Sequence, residues 1–412
     1  MKTSSVLILG DSRTSLPVLR SLAKRNVNAG VAAPNKKDVP FLSRYCKNKI
    51  WCPSSREDPN FFLKTFQKIV KKEQFDIWFP MGDCSLNIIS ENREKVLPYI
   101  GLPIANRETI NTVFDKSQLI RLARTENVPI PKTFFIENIQ DLKEVSEKIT
   151  YPAVIKSKHS WVWKRDKTFQ SRPEYVNSAQ DLISAYKSMH NDFPFPMIQE
   201  YIPGVTYSVG VLCNHSKLRA ICCIKQHRTV PVAGGWATFR ETVKLDQEMK
   251  EYTLRLMRAL DWHGVAEVEF KVDSRDSTPK LMEINGRFWG STELAIASGV
   301  DFPYLLYCLA VDGDIKPVFR YKVGIKRRWL EGDLTHLLNV LMSVNVANSI
   351  AHPEKWRTLL QFLRFFNEGY DCLYLDDPMP FLMSFLSSAS HISGTILGGL
   401  LSRRASRENK ES

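Results

Sequence analysis

Four apolar residues, Val6 to Leu9, run unbroken into Gly10-Asp11. A run so short, closed by turn residues, reads as a buried strand. Leu16, Leu19, Leu22 and Ala23 follow at helical spacing. Val27 to Ala33 reads as the next strand, and Phe75 to Pro80 as another, with a helix from about Ser85 to Val96 behind it. Strand and helix in that rhythm predict a parallel sheet covered by helices. The texture then changes. Thr109 to Phe114 reads as a short helix, Asp115-Lys116-Ser117 opens a second one through Asn127, and Val128 to Thr133 is an extended connector. Strands are expected at Tyr151–Lys156 and Pro196–Ile202, the latter ending at the turn Pro203-Gly204. Tyr207–Leu212 and Arg219–Lys225 continue an antiparallel series. Past about residue 325 the pattern is helical, with an amphipathic stripe of Trp356, Leu359, Leu360, Leu363 and Phe366.

With 412 residues, 43% hydrophobic and 25% charged, the chain is globular and large enough for two to three domains. The turn after the first strand, Gly10-Asp-Ser-Arg-Thr-Ser, has one glycine where a dinucleotide fingerprint needs three, so NAD is not expected. Net charge is +13, a field that collects anions such as nucleotides, acidic substrates or anionic lipid. Nucleic acid is not expected as a partner, because no zinc-finger spacing, RNP motif or basic helix with interleaved aromatics occurs. The eight cysteines include no CxxC pair and read as reduced structural thiols of a cytoplasmic protein. The start, MKTSSVLILGDSR, does not read as a signal peptide.

Chemistry concentrates in two strands, Gly264–Phe270 and Lys280–Arg287, joined by the polar turn Asp273–Pro279. Strand alternation puts Val265, Glu267 and Glu269 on one face, with Ala266, Val268 and Phe270 on the other. The same rule groups Leu281, Glu283 and Asn285 against Met282 and Ile284. Pairing the strands with apolar faces together brings up to three carboxylates and one amide to one place. Like charges set opposite one another repel, and partly buried carboxylates need compensation. A divalent cation with oxygen ligands, Mg²⁺ by preference, meets both needs; a solvated acidic face balanced by Lys or Arg is the plain alternative. Glu267 is the weakest of the set. Lys156 ends a buried apolar run, so its ammonium sits at a sheet edge where phosphates could lie. Lys116 opens a helix, a poor place for a cation without an anion beside it. Either lysine could equally be an ordinary surface residue.

In order, Asp115-Lys116, Pro-Ala-Val-Ile-Lys156, Gln199-Glu-Tyr-Ile-Pro-Gly204, Glu269 and Glu283-Ile-Asn-Gly-Arg287 resemble the ATP-grasp superfamily. Within it the chain looks most like stand-alone carboxylate–amine ligases related to the carbamoyl phosphate synthetase large subunit. The resemblance runs from about residue 1 to 325. It implies an α/β chain in four parts: a Rossmann-like N-terminal domain (1–105), an α+β ATP-grasp domain of two lobes, small lid (106–195) and catalytic (196–325), and a mostly helical C-terminal extension (326–412). It also implies site roles. Lys116 and Lys156 would hold ATP phosphates. Glu200 would accept from the adenine amino group, with the backbones of Tyr201 and Ile202 reading the adenine edge. Glu269, Glu283 and Asn285 would bind Mg²⁺ (or Mn²⁺), and Arg287 would steady the transferred phosphoryl group. His227 and Arg228 would meet the substrate, although a lone loop His is usually just solvated.

Two departures stand out. The loop after Lys156 lacks glycine and carries six Lys/Arg against one acid over residues 156–172, with Trp161 and Trp163. Side-chain charge would replace backbone donors there, or the two Trp would pack under the lid. Thr206 stands where many members place an acid for the ribose hydroxyls; a hydroxyl binds less strongly than a carboxylate. The resemblance implies an ATP-dependent ligase joining a small carboxylate to an amine. A nucleotide-sensing or scaffold module with little turnover, or a carboxylase-type relative using bicarbonate, are the other readings. Pro378 to Ser402 holds no charged residue and is followed by Arg403, Arg404 and Arg407. It reads as a hairpin packed on the core, or as a peripheral contact with anionic membrane through 378–412.

Overall fold

The computed structural model describes residues 4–10, 13–164, 167–343, 353–363 and 368–386. The N-terminal domain comprises β1 (Val6–Leu9), α1 (Ser15–Ala23), β2 (Ala29–Ala33), β3 (Asn48–Trp51), α2 (Pro59–Lys72), β4 (Ile77–Phe79) and α3 (Asp83–Glu91). Its sheet has the order β3-β2-β1-β4 and is parallel throughout, as the strand–helix alternation predicts. β1, β2 and β4 are buried at every position, which is why they read as continuous apolar runs.

The small lobe follows: α4 (Arg107–Phe114), α5 (Lys116–Thr125), β5 (Thr133–Phe135), α6 (Leu142–Lys148), β6 (Ala153–Lys156), β7 (Trp161–Lys164), β8 (Lys167–Gln170), β9 (Glu174–Val176), α7 (Ala179–Asp192) and β10 (Met197–Glu200). Asp115 fixes where α5 starts, its Oδ1 accepting from the amides of Ser117 (2.8 Å) and Gln118 (3.2 Å). β10 lies between β5 and β6, antiparallel to both. The strand leading to Pro203-Gly204 thus pairs with strands that precede the boundary expected at 195/196. Such pairing is invisible to a pattern of single strands. This lobe has its own core around Leu142, Ile155, Leu182, Tyr186 and Ile198. The basic glycine-free stretch forms the β7–β8 hairpin, and Trp161 lies against Arg56 of the N-terminal domain, 4.9 Å from guanidinium carbon to ring centroid.

The main lobe is a seven-stranded sheet of order β15-β14-β11-β12-β13-β16-β17. Its strands are β11 (Gly204–Asn214), β12 (Lys217–Val230), β13 (Trp236–Thr242), β14 (Gly264–Asp273), β15 (Pro279–Asn285), β16 (Lys326–Arg328) and β17 (Gly369–Tyr370). Helices α8 (Gln247–Ala259), α9 (Thr292–Ser298) and α10 (Phe302–Asp312) complete it. A single core joins this lobe to the N-terminal domain, running from Val6, Phe66 and Trp78 to Val268, Trp289 and Leu306. Gly210 lets the Trp289 indole lie on β11, since a Cβ there would sit 2.3 Å from its Cζ2.

The C-terminal extension is less separate than its helical pattern suggests. β16 pairs antiparallel with β13, and β17 runs parallel to β16, so two of its segments are main-sheet strands. α11 (Leu330–Met342) and α12 (Lys355–Phe362) are its helices. α12 buries Thr358 and Phe362 and turns Trp356, Leu360 and Leu363 outward. Asp376 and Asp377 tie the following strap to Arg20 of α1. The uncharged run is described only as far as residue 386, so the hairpin and membrane expectations lie mostly outside the described residues. No single helix among the described residues is long and apolar enough to cross a membrane. No disulfide links any of the eight cysteines.

Candidate active site

β14 and β15 pair so that Glu267 faces Asn285 and Glu269 faces Glu283. The carboxylates and amide expected to converge do so, on the sheet face opposite Val268, Phe270 and Ile284. One face assignment from strict alternation fails. The register shifts after Glu269, and Leu281 pairs with Phe270 instead of following Glu283. This bulge sends the Leu281 side chain into the core, fully buried, while Glu283 and Asn285 keep the polar face.

The set is knitted together. Asn285 Nδ2 donates to Glu267 Oε2 (3.2 Å) and Glu283 Oε1 (3.3 Å). Ser208 of β11 hydrogen-bonds Glu267 and in turn accepts from Gln226 Nε2 at 2.9 Å. Burial, helped by the charge of Glu283, pushes Glu267 up to about 7. Burial and both neighbouring carboxylates push Glu269 well above the usual range. Such shifts record carboxylates crowded together away from water. Among the described residues no three His, Cys, Asp or Glu side chains stand in metal-ligating geometry. The set named from sequence holds two carboxylates and an amide, leaving other positions to phosphate or water. Its crowded oxygen donors fit Mg²⁺.

Three lysines surround it. Lys156, at the end of β6, feels Glu283 and Glu269 as well as Lys116 and Lys271. Burial, reinforced by the other two lysines, lowers it to about 8. Lys116 donates to the Ser160 hydroxyl and, with Asp83, Glu283 and Asn285, lines a small pocket. Lys271 was missed from the sequence, although period-two alternation already put it on the face of Glu267 and Glu269. Burial lowers it to about 8, and its Nζ lies 4.7 Å from the Tyr201 ring centroid.

Arg287 closes the other side. Phe288 N donates to Pro80 O (3.1 Å), docking the end of this segment on the N-terminal domain. Arg287 there grips Asp83 in a fork, Nε to Oδ1 at 2.7 Å and Nη2 to Oδ2 at 2.9 Å, and Nη2 also donates to Asn285 Oδ1 (3.3 Å). Burial opposes its charge, but Asp83, Glu267 and Glu283 hold it firmly protonated. Asp83 is the second residue missed, because its partner lies 204 positions away.

Other expected residues sit differently. The Glu200 carboxylate is a tie between lobes: it accepts from Lys132 N (2.9 Å), Arg275 Nη2 (3.1 Å) and Lys280 Nζ (3.4 Å). The Tyr201 amide donates to Pro152 O (3.1 Å), so only its carbonyl remains to read a ligand beside Ile202. Arg228, expected to meet the substrate, has a carboxylate partner in this arrangement. It forms a buried bidentate pair with Asp333 of α11, both bonds 2.7 Å. Its charge needed a buried partner, and the C-terminal extension supplies one. His227 hydrogen-bonds Glu241 Oε2 (2.9 Å) and leans on Phe239; burial lowers its pKa despite that glutamate.

Two lobes holding Lys116, Lys156 and the β14–β15 acidic set between them define an ATP-grasp architecture. Residues 192–332 match a family model described as ATP-grasp in the biosynthetic pathway with Ter operon. The carbamoyl phosphate synthase large chain of Methanothermobacter thermautotrophicus is 23% identical over 241 residues, 55% of this chain and 22% of that one. The D-aspartate ligase of Enterococcus faecium is 22% identical over 292 residues, 63% of this chain and 66% of that one. Among solved structures, biotin carboxylase from Campylobacter jejuni superposes with TM-score 0.63 at 17% identity, covering 78% of this chain and 74% of that one. L-amino acid ligase from Bacillus licheniformis gives 0.58 at 16%, covering 77% and 78%. The chain has the ATP-grasp fold, and the resemblance carried by its five sequence pieces is borne out. The curated relatives are matched over less than two thirds of their own length.

Proposed function

We propose that the protein is an ATP-dependent carboxylate–amine ligase working through an acyl phosphate. The observation that carries the reading is the convergence of Glu269, Glu283 and Asn285 with Lys116, Lys156 and Arg287 between the lobes. The similarity to D-aspartate ligase and L-amino acid ligase supports it. Lys116 and Lys156 bind the phosphates of ATP as point charges, and Ile202 with the Tyr201 carbonyl meets the adenine edge. Glu269, Glu283 and Asn285 would hold Mg²⁺, which when bound neutralises charge on the outer phosphates. A substrate carboxylate oxygen attacks the γ-phosphorus, the bond to the bridging oxygen breaks, and ADP leaves. The amine nitrogen then attacks the acyl carbon, phosphate departs with the C–O electron pair, and the amine gives up a proton. Arg287, held in place by Asp83, lends its positive charge to the oxygens of the moving phosphoryl group. The chain contributes position and charge rather than a covalent bond.

The test is product analysis with hydroxylamine as nucleophile and a panel of amino acids and dicarboxylates as the acid. Hydroxamate with stoichiometric ADP is the expected result. AMP and pyrophosphate would end the acyl-phosphate reading. ADP release that needs bicarbonate and no amine would favour the carboxylase relatives.

A further inference from the structure

Lys271 is half-buried on β14, and its ammonium has no hydrogen-bond acceptor among the described residues. The carboxylate whose charge reaches it is Asp273. That group is already taken. Arg275 Nη2 (2.5 Å) and Lys280 Nζ (2.8 Å) donate to its Oδ2, and Arg275 Nε donates to its Oδ1 (2.9 Å). Lys271 meets instead the Tyr201 ring, 4.7 Å from Nζ to centroid, and the charge of Lys156 at the end of β6. A ring face attracts a cation but leaves its three N–H donors without an oxygen. The two ammonium groups repel, and an anion between them replaces that repulsion with two attractions. We infer that Lys271 is a nucleotide-binding residue and that the group it holds is the α-phosphate. The inference rests on the reading of this cleft as an ATP site and adds a contact which that reading did not contain.

Position along the strand names the phosphate. A strand rises about 3.4 Å per residue, so Lys271 follows Glu269 on the same face by about 7 Å. Glu269 belongs to the set assigned to Mg²⁺ and the outer phosphates. On its other side Lys271 lies against Tyr201, which with Ile202 is assigned to the adenine edge. The part of ATP that spans from the outer phosphates to adenine is the ribose with the α-phosphate. Of these the α-phosphate is the anion, and an unpaired ammonium prefers it to a neutral hydroxyl.

The cross-strand neighbour agrees. Thr206 of β11 stands directly opposite Lys271. Opposed residues of an antiparallel pair share a face, with Cβ atoms about 4.5–5.5 Å apart. A carboxylate at that place would have paired with the ammonium and spent its charge. Thr206 is neutral and leaves the charge to a ligand.

The experiment titrates ADP, AMP and adenosine into the full chain in EDTA, so that no metal takes part, with calorimetry for tight ligands and ligand-observed NMR for weak ones. Wild type is compared with two neutral variants, Lys271→Met and Lys271→Gln, and with Lys271→Arg, which keeps the charge. Neither neutral variant removes a side-chain hydrogen bond among the described residues, and the urea midpoint checks that each folds. AMP and ADP should each bind about tenfold or more weakly to the neutral variants, the weight of a charge-assisted hydrogen bond. Adenosine should bind all four proteins within about twofold, and Lys271→Arg should recover most of the AMP affinity. Equal losses for adenosine and AMP would place Lys271 on the sugar or the base and overturn the assignment. A loss for ADP without one for AMP would place it on the β-phosphate and overturn it equally. So would AMP binding no tighter than adenosine in wild type, or no loss in either neutral variant. Failure of wild type to bind ATP with Mg²⁺ would instead end the ATP reading itself, a separate and recognisable outcome.

Discussion

Replacing Asp333 by alanine should cost the fold far more than removing a carboxylate from the protein surface. Its Oδ1 accepts from Arg228 Nε (2.7 Å) and Thr238 Oγ1 (2.9 Å), and its Oδ2 accepts from Arg228 Nη2 (2.7 Å). Arg328 Nε lies 3.4 Å from Oδ2. The loss is not shared equally. Arg328 keeps Glu368 at 2.6 Å and the Phe362 carbonyl at 2.8 Å. Arg228 has no second acceptor among the described residues, only the face of Phe239 at 4.5 Å. With 6% of the Arg228 side chain and none of Asp333 exposed, water cannot take the carboxylate's place. Breaking such a buried pair from one side costs about 3–5 kcal/mol. Against the ~5–15 kcal/mol that holds an ordinary domain, that is a large fraction. The assay is equilibrium urea unfolding of wild type, Asp333→Ala, Arg228→Met and the double variant. The double variant should lose less than the sum of the singles, because no orphaned guanidinium remains. A loss under about 1 kcal/mol in Asp333→Ala, or strict additivity, would refute the reasoning. It would also reopen a substrate role for Arg228.

Glu283→Gln and Asn285→Ala should abolish turnover while the unfolding midpoint barely moves, since they remove ligands rather than core volume; normal activity at ordinary Mg²⁺ would sink the site. Arg287→Lys keeps the charge but loses the fork onto Asp83 and Asn285. Single-turnover ADP formation should fall at least tenfold while ATP affinity falls less, because a cation no longer held in place by Asp83 neutralises less of the charge that builds as the phosphoryl group moves; the reverse split would make Arg287 a nucleotide-binding residue. Lys156, lowered by burial from 10.5 to about 8, is short of a proton above that pH, and bound phosphate should restore it. ATP binding should therefore take up a proton and weaken as pH climbs past about 8; calorimetry in two buffers of different ionisation enthalpy reads the uptake, and none at about pH 9 would be the contrary result. The same shift makes Lys156 a cost to folding below about 8 that is gone above 10.5. Gly210→Ala would set a methyl 2.3 Å from Trp289, so urea unfolding should show a loss of about 1–3 kcal/mol or more; an unchanged midpoint would mean that the indole can move aside freely.

Local pattern reached far in this chain. The apolar runs of β1, β2 and β4, the cap at Asp115, and the alternation that brings Glu267, Glu269, Glu283 and Asn285 to one face all depend on residues close in sequence. Periodicity and capping are local properties, so a single sequence displays them. Pairing is not local. That β10 lies between β5 and β6, that β16 and β17 extend the main sheet, and that a bulge turns Leu281 inward were set by which neighbours each strand found. Charge compensation is less local still. Nothing near Arg228 or Arg287 in the sequence announces Asp333 or Asp83, 105 and 204 positions away. A guanidinium reads as available for substrate until the fold shows which carboxylate was buried with it. The residue types of the active site were therefore legible in sequence, while which of their charges were already spoken for was decided only in three dimensions. A buried charge takes whichever partner the packing brings within reach, and packing is a property of the whole chain.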